Sequence, residues 1–270
     1  MNLSNARLAA IAAFFAAAFI STLPAGCSST SKEAKNGGSD FDADADEQID
    51  LADPDDSAKP DFYRPIFNAA VGKKTVAEYL GVSSHMRQGA GDDAERNFEF
   101  ETYKGFGQFL VREDYHWHNI EPLKGEFHFE TVETQVALAK QNGVKITAML
   151  AYEVGWAAPD GTSSINPDDY ANYAGKTAEH FCADIKTYEI WNEPDLPNFW
   201  HPAPDPEHYG KMLVAAYGKI KAACPDALVL FGGQSSFSHE TGERWWFMNE
   251  VAKTVPNLCD YFDILALHPY

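Results

Sequence analysis

Positive charge is scarce in this sequence: 21 lysines and arginines stand against 40 aspartates and glutamates, a formal net charge of −19. The deficit is not confined to one segment. Residues 1–60 hold 10 acidic and 4 basic side chains, which leaves 30 acidic against 17 basic in the rest of the chain. Nucleic acid is thereby excluded as a natural partner, because that affinity depends on Lys and Arg neutralising phosphates. A neutral polysaccharide would not be repelled. Long apolar runs are also missing. The longest, Leu8 to Ile20, has 13 residues, short of the ~18 needed to cross a bilayer. The chain has no set of His, Cys and Asp with metal-ligand spacing and no Gly-rich phosphate loop, and Gly232-Gly233 reads only as a turn signal, so no metal or cofactor is expected.

The short apolar run does have a use. It follows Arg7 and precedes Leu23-Pro24-Ala25-Gly26-Cys27, which together make a signal-peptide core followed by a string that resembles a bacterial lipobox. Residues 1–26 are thus expected to be a lipoprotein signal peptide, with Cys27 lipidated and the mature protein anchored to the cell envelope through its lipid. Residues 27–60 are rich in Ser, Gly, Asp and Ala without apolar periodicity, the composition of an acidic disordered tether. Asp42, Asp44 and Asp46 have the spacing that starts a calcium loop, but Glu47 stands where such a loop needs glycine.

Residues 61–270 form the folded part. From about residue 75, short apolar runs alternate with helical periodicity, the pattern of β/α units on a parallel sheet. The strands are expected at 79–83, 109–113, 144–152, 187–192, 227–232 and 262–268, several apolar almost throughout, as in strands covered on both faces. Tyr209, Met212, Leu213, Ala216, Tyr217 and Ile220 share one helix face. Asp205-Pro206 and Asn166-Pro167 mark helix starts, and Gly143 marks a helix stop. Periodicity alone does not separate a closed barrel from an open doubly wound sheet.

The most informative string is Tyr188-Glu189-Ile190-Trp191-Asn192-Glu193-Pro194. It reads as a strand whose ladder ends where Asn192 and Glu193 emerge, since Pro194 has no backbone donor. Trp-Asn-Glu-Pro resembles the fourth-strand signature of clan A glycoside hydrolases, and its continuation to Trp200 is most similar to family 39, the β-xylosidase type. The resemblance implies a (β/α)8 TIM barrel, with about six of eight units present here. It also implies that Glu193 is the general acid/base and that Asn192 binds the sugar 2-hydroxyl.

In such a barrel the catalytic groups collect at the C-terminal ends of the strands. The resemblance places Arg112 near the nucleophile, His116 in an aromatic segment along the sugar site, and His268 and Tyr270 as a His-x-Tyr pair touching sugar and nucleophile. Trp156 and Trp200 are candidate sugar-stacking aromatics, and His85 and Glu153 stand at further strand ends. A retaining glycosidase needs two carboxyl groups about 5 Å apart. The resemblance puts the second at the end of a seventh strand, beyond Tyr270.

The expected protein is therefore an exported glycoside hydrolase whose 270 residues alone are neither a closed barrel nor active. The alternative is a surface lipoprotein that binds carbohydrate without chemistry. Cys182, Cys224 and Cys259 each precede a strand and so belong at the opposite end of the barrel. There either Cys182–Cys224 or Cys224–Cys259 can pair, leaving one thiol.

Overall fold

The computed structural model describes residues 81–84, 93–107, 110–235 and 246–268. The signal peptide, Cys27, the acidic tether, His85 and Tyr270 lie outside these residues. No helix among the described residues is long and apolar enough to cross a membrane.

Six strands form one parallel sheet in sequential order: β1 (Val82–Ser84), β2 (Leu110–His116), β3 (Lys145–Ala151), β4 (Thr187–Asn192), β5 (Leu228–Ser235) and β6 (Ile264–His268). Between them run α1 (Asp93–Gly105), the one-turn α2 (Trp117–Ile120), α3 (Glu130–Asn142), α4 (Pro167–Phe181), α5 (Pro206–Ala223) and α6 (Trp246–Thr254). Sequential parallel order with a helical crossover at each step is the architecture of a partial (β/α) barrel.

The helix boundaries follow local chemistry. Asn166 caps α4 by accepting from the Asp168 amide at 2.9 Å, and Asp205 caps α5 by accepting from the His208 amide at 2.9 Å, each with proline at the first helical position. Gly143 ends α3 in the left-handed conformation, φ 70°.

The two faces of the sheet differ in content. Along β2, Val111, Glu113 and Tyr115 are buried towards the helices, while Arg112, Asp114 and His116 alternate onto the inner face and remain partly open. The helix-facing side is an aromatic core. The Tyr170 hydroxyl donates to the Leu150 carbonyl at 2.7 Å and that of Tyr209 to the Ile190 carbonyl at 3.1 Å, pinning α4 and α5 to strand backbones. Of the expected α5 stripe all are buried except Tyr217, which is partly so. The β6 residues are mostly half-exposed, and Leu267 is exposed.

Two strand ends depart from expectation. β2 runs three residues beyond Glu113, which carries Asp114 and His116 onto the inner face. β5 continues through Gly232-Gly233 to Ser235, so the glycine pair is not a turn. A Cβ at Gly232 would collide with the Ile190 carbonyl, and one at Gly233 with the His268 ring and the Glu189 carboxylate. The glycines are there for close approach between strands.

At the opposite end of the sheet Cys182 and Cys224 form a disulfide, Cα–Cα 5.5 Å. None of the described cysteines is a free thiol, which corrects the expectation that one would be left over. The pair lies near Asp226, but the sulfurs are bonded to each other and the Lys186 ammonium is 3.6 and 3.7 Å from them. That grouping offers no cation site.

Candidate active site

The site is built around a change of face within β4. Strict alternation would put Glu189 and Trp191 on one face and Asn192 on the other. Trp191 instead has φ 68° and Glu193 φ 42°, both in the left-handed region that side chains seldom occupy. The turn sends Trp191 into the helix-side core, where its Nε1 donates to the Phe199 carbonyl at 2.8 Å and its ring packs on Tyr170 and Trp200. Asn192 is thereby delivered to the same inner face as Glu189. The Glu193 amide still finds a partner, donating to the Gly233 carbonyl at 2.8 Å.

On that inner face β2, β4, β5 and β6 are wired together. Arg112 Nε donates to Glu189 Oε2 at 2.6 Å, and Nη2 donates to Glu189 Oε1 at 3.1 Å and to Asn192 Oδ1 at 2.8 Å. The Gly233 amide also donates to Glu189 Oε1, at 2.8 Å. Burial alone would lower the Arg112 pKa, but the Glu189 charge and hydrogen bonds more than compensate, so the guanidinium sits above its ordinary value. Because Arg112 holds Asn192 by its carbonyl oxygen, the amide NH2 is left on the side of Tyr152, with which Asn192 also hydrogen-bonds.

Glu193, 3% exposed, is met by His268 from β6, whose Nδ1 lies 2.6 Å from Glu193 Oε1. Two residues on, Asp195 accepts from the Ser235 amide at 3.0 Å and the Ser235 hydroxyl at 2.7 Å, tying the loop after β4 to the end of β5. The Asp195 pKa is raised, first by burial and also by the Glu193 charge, against the Ser235 hydrogen bonds.

Tyr152, just past β3, stands where these groups converge. Its phenol is pushed up, first by burial and then by the Asp114 carboxylate, while the Arg112 charge and a hydrogen bond with Asn192 oppose the shift. Its ring stacks on Phe199.

The expected site residues thus separate into groups. Arg112 and Asn192 are bonded to each other, and Glu193 and His268 form a second pair beside them. His116 is on the same inner face, its ring 5.8 Å from that of Tyr152 and 5.1 Å from that of His118. Trp156 is partly exposed, its Nε1 donating to the Glu121 carbonyl at 2.9 Å and Lys124 lying over its ring. Trp200 requires correction. It is fully buried against Trp191 and Tyr209 and has no face to offer a sugar. Sequence reasoning gave no role to Glu189, Asp114, Tyr152 or Asp195. Glu189 did carry a signal, a lone carboxylate inside an apolar strand that must find a cation.

No family model matches the chain, and no curated protein matches it. Solved structures do share its fold. A family 39 glycoside hydrolase from the gut symbiont Bacteroides cellulosilyticus WH2 matches with a TM-score of 0.54 and 22% identity over 70% of this chain and 38% of its own. An exo-β-1,4-mannosidase from Opitutaceae bacterium strain TAV5 matches at 0.51 and 20%, over 66% of this chain and 34% of its own. Xylanase 10B from Thermotoga petrophila RKU-1, in complex with xylobiose, matches at 0.50 and 18%, over 69% of this chain and 58% of its own. The chain therefore spans less than two thirds of each of these structures. They establish the partial (β/α) barrel, and all three are glycoside hydrolases.

Proposed function

We propose that this chain is part of an exported glycoside hydrolase of the retaining, two-carboxylate kind, resembling family 39. Glu193 is the general acid/base, and the nucleophilic Glu is carried beyond residue 270. One observation supports this most. A carboxyl group and an amide stand side by side at a strand end, Asn192 held by a cation from β2 and Glu193 met by a histidine from β6. In the reaction Glu193 protonates the departing oxygen and later deprotonates the incoming water. Asn192, fixed by Arg112, presents its NH2 to a sugar hydroxyl. Anchoring through Cys27 belongs to the same proposal, and a disulfide at Cys182–Cys224 fits the oxidising compartment it implies.

Glu193→Ala, made in the reading frame extended past Tyr270, tests the assignment. Hydrolysis of glycosides with poor leaving groups should fall by roughly 10²–10⁴, whereas aryl glycosides with acidic leaving groups should suffer far less. Added azide should restore turnover by attacking the glycosyl-enzyme. An unchanged rate on natural glycosides would remove Glu193 from the mechanism.

A further inference from the structure

Two residues beyond the proposed acid/base stands a buried carboxylate to which the mechanism gives no part. Asp195 is 4% exposed, and both its oxygens are engaged by one residue of β5: Oδ1 accepts from the Ser235 amide at 3.0 Å and Oδ2 from the Ser235 hydroxyl at 2.7 Å. An acid is kept inside only at some cost, and the backbone around this one shows what it does.

In a parallel ladder a residue donates to the carbonyl before its partner and accepts from the amide after it. β4 and β5 remain paired as far as Asn192, opposite Gly233. Next the Glu193 amide donates to the Gly233 carbonyl at 2.8 Å, so a continued ladder would offer the Glu193 carbonyl to the Ser235 amide. The left-handed backbone at Glu193 turns that carbonyl away, and it accepts from the Leu196 amide at 3.0 Å instead. Pro194 has no amide with which to resume the ladder. The Asp195 carboxylate takes the place of the Glu193 carbonyl at the Ser235 amide, and the hydroxyl adds a second bond.

This latch is placed to act on Glu193. Ser235 is in register with His268 on β6, and His268 Nδ1 lies 2.6 Å from Glu193 Oε1. Chain, latch and ladder thus close a ring through Glu193, Asp195, Ser235 and His268. With the latch opened, the turn at Glu193 would keep its left-handed strain and lose a tie that holds it there.

We infer that Asp195 is a positioning residue: through its two bonds to Ser235 it holds the Glu193 carboxyl where it can protonate the departing oxygen, an inference that rests on the acid/base reading above. Asp195 also carries a charge that Glu193 senses, but latch and charge are separable. Asparagine in its place keeps an oxygen for the Ser235 amide and gives the Ser235 hydroxyl an NH2 to accept from, while the charge is gone.

The test compares Asp195→Ala, Asp195→Asn and Glu193→Ala in the chain extended past Tyr270. The readouts are kcat/KM for the methyl and 2,4-dinitrophenyl β-D-xylosides and β-D-glucosides, and the His268 ring resonances by NMR. In Asp195→Ala, kcat/KM for the methyl glycosides should fall by about tenfold to a hundredfold. The dinitrophenyl glycosides, which need little protonation, should hardly change, and the His268 resonances should shift. Asp195→Asn should restore both readouts. Asp195→Ala equal to the parent in either readout would overturn the inference, as would Asp195→Asn being as impaired as Asp195→Ala. Equal losses on both kinds of glycoside would overturn it too, because they mark general damage to the fold. If Glu193→Ala still shows the leaving-group signature in any of these cases, the acid/base reading stands. Where Asp195→Ala does not fold, Ser235→Ala removes the hydroxyl bond alone and should give a smaller change in the same direction; no change would overturn the inference. The His268 readout needs no turnover. A parent that hydrolyses none of these glycosides would count against the acid/base reading, and an unmoved His268 resonance would still overturn the latch.

Discussion

At the N-terminal end of the sheet, aspartates meet lysines one to one at the surface: Lys140–Asp184 at 2.6 Å, Lys186–Asp226 at 2.8 Å and Lys221–Asp263 at 2.8 Å, beside the Cys182–Cys224 disulfide. At the described C-terminal end, Glu189, Glu193 and Asp195 are buried, and the backbone is held in the left-handed region at Trp191 and Glu193. The strands are the same, but the ends are built to different purposes. Paired charges in water cost little and contribute little. Buried like charges and a strained turn persist only where surrounding packing over-determines them, and such places are where chemistry is done. One end secures the scaffold and the other draws on the stability that results.

The largest break in this contrast comes from Arg112→Met. It would strand Glu189 as an uncompensated carboxylate in the interior, and urea unfolding should show a loss of about 3–5 kcal/mol. The double variant Arg112→Met with Glu189→Leu should recover much of that loss while still failing to orient Asn192. A single variant as stable as the parent would mean that Glu189 is not held as an ion.

At the other end, replacing both Cys182 and Cys224 by serine should cost about 2–4 kcal/mol, since the bridge closes a long loop in the unfolded chain. Differential scanning calorimetry should see the loss, and the Arg112–Glu189 contact at the far end should be unaffected. Gly233→Ala comes next. Its methyl group would press on the His268 ring and the Glu189 carboxylate, so stability should drop by about 1–3 kcal/mol. Unlike the cysteine change, it should also disturb the His268–Glu193 contact, visible as a shifted His268 ring resonance by NMR.

The smallest effect is expected at Lys186–Asp226. The hydrogen bond from Lys186 holds the Asp226 carboxyl below its ordinary value, against a small burial penalty. A depressed folded-state pKa means that the stabilisation is present above the ordinary aspartate range and is lost as pH falls through the folded value. Lys186→Met should therefore lower stability by less than about 1 kcal/mol near neutrality, and the difference from the parent should vanish in acid. A constant difference across pH, followed by chemical denaturation, would locate the role of Lys186 elsewhere, as in its contact with the disulfide sulfurs.

Much of this was legible in the sequence. The alternation of apolar runs and helical stripes announced six parallel strands, and Asn166-Pro167, Asp205-Pro206 and Gly143 announced helix ends, because caps and stops are local chemistry read from adjacent residues. The end of β4 at Asn192 was readable from its string alone, because Pro194 has no backbone donor. Trp200, by contrast, looked like a sugar platform, yet nothing in its neighbours revealed that Trp191 and Tyr209 would enclose it. Gly232-Gly233 looked like a turn because the strand pressing on it is forty residues away in sequence.

By itself the sequence determined the order and type of the elements and the acidic balance. It did so because hydrophobic period and capping act over a few residues. Only the tertiary structure decided that Arg112 would spend its charge on Glu189, seventy-seven positions away, and that Cys224 would choose Cys182. It also decided that Asn192 would leave the face assigned by alternation to join Glu189. These choices depend on which strands lie side by side and on a single left-handed turn at Trp191, a conformation the local sequence disfavours and the packing of Trp191 against Tyr170 and Trp200 enforces.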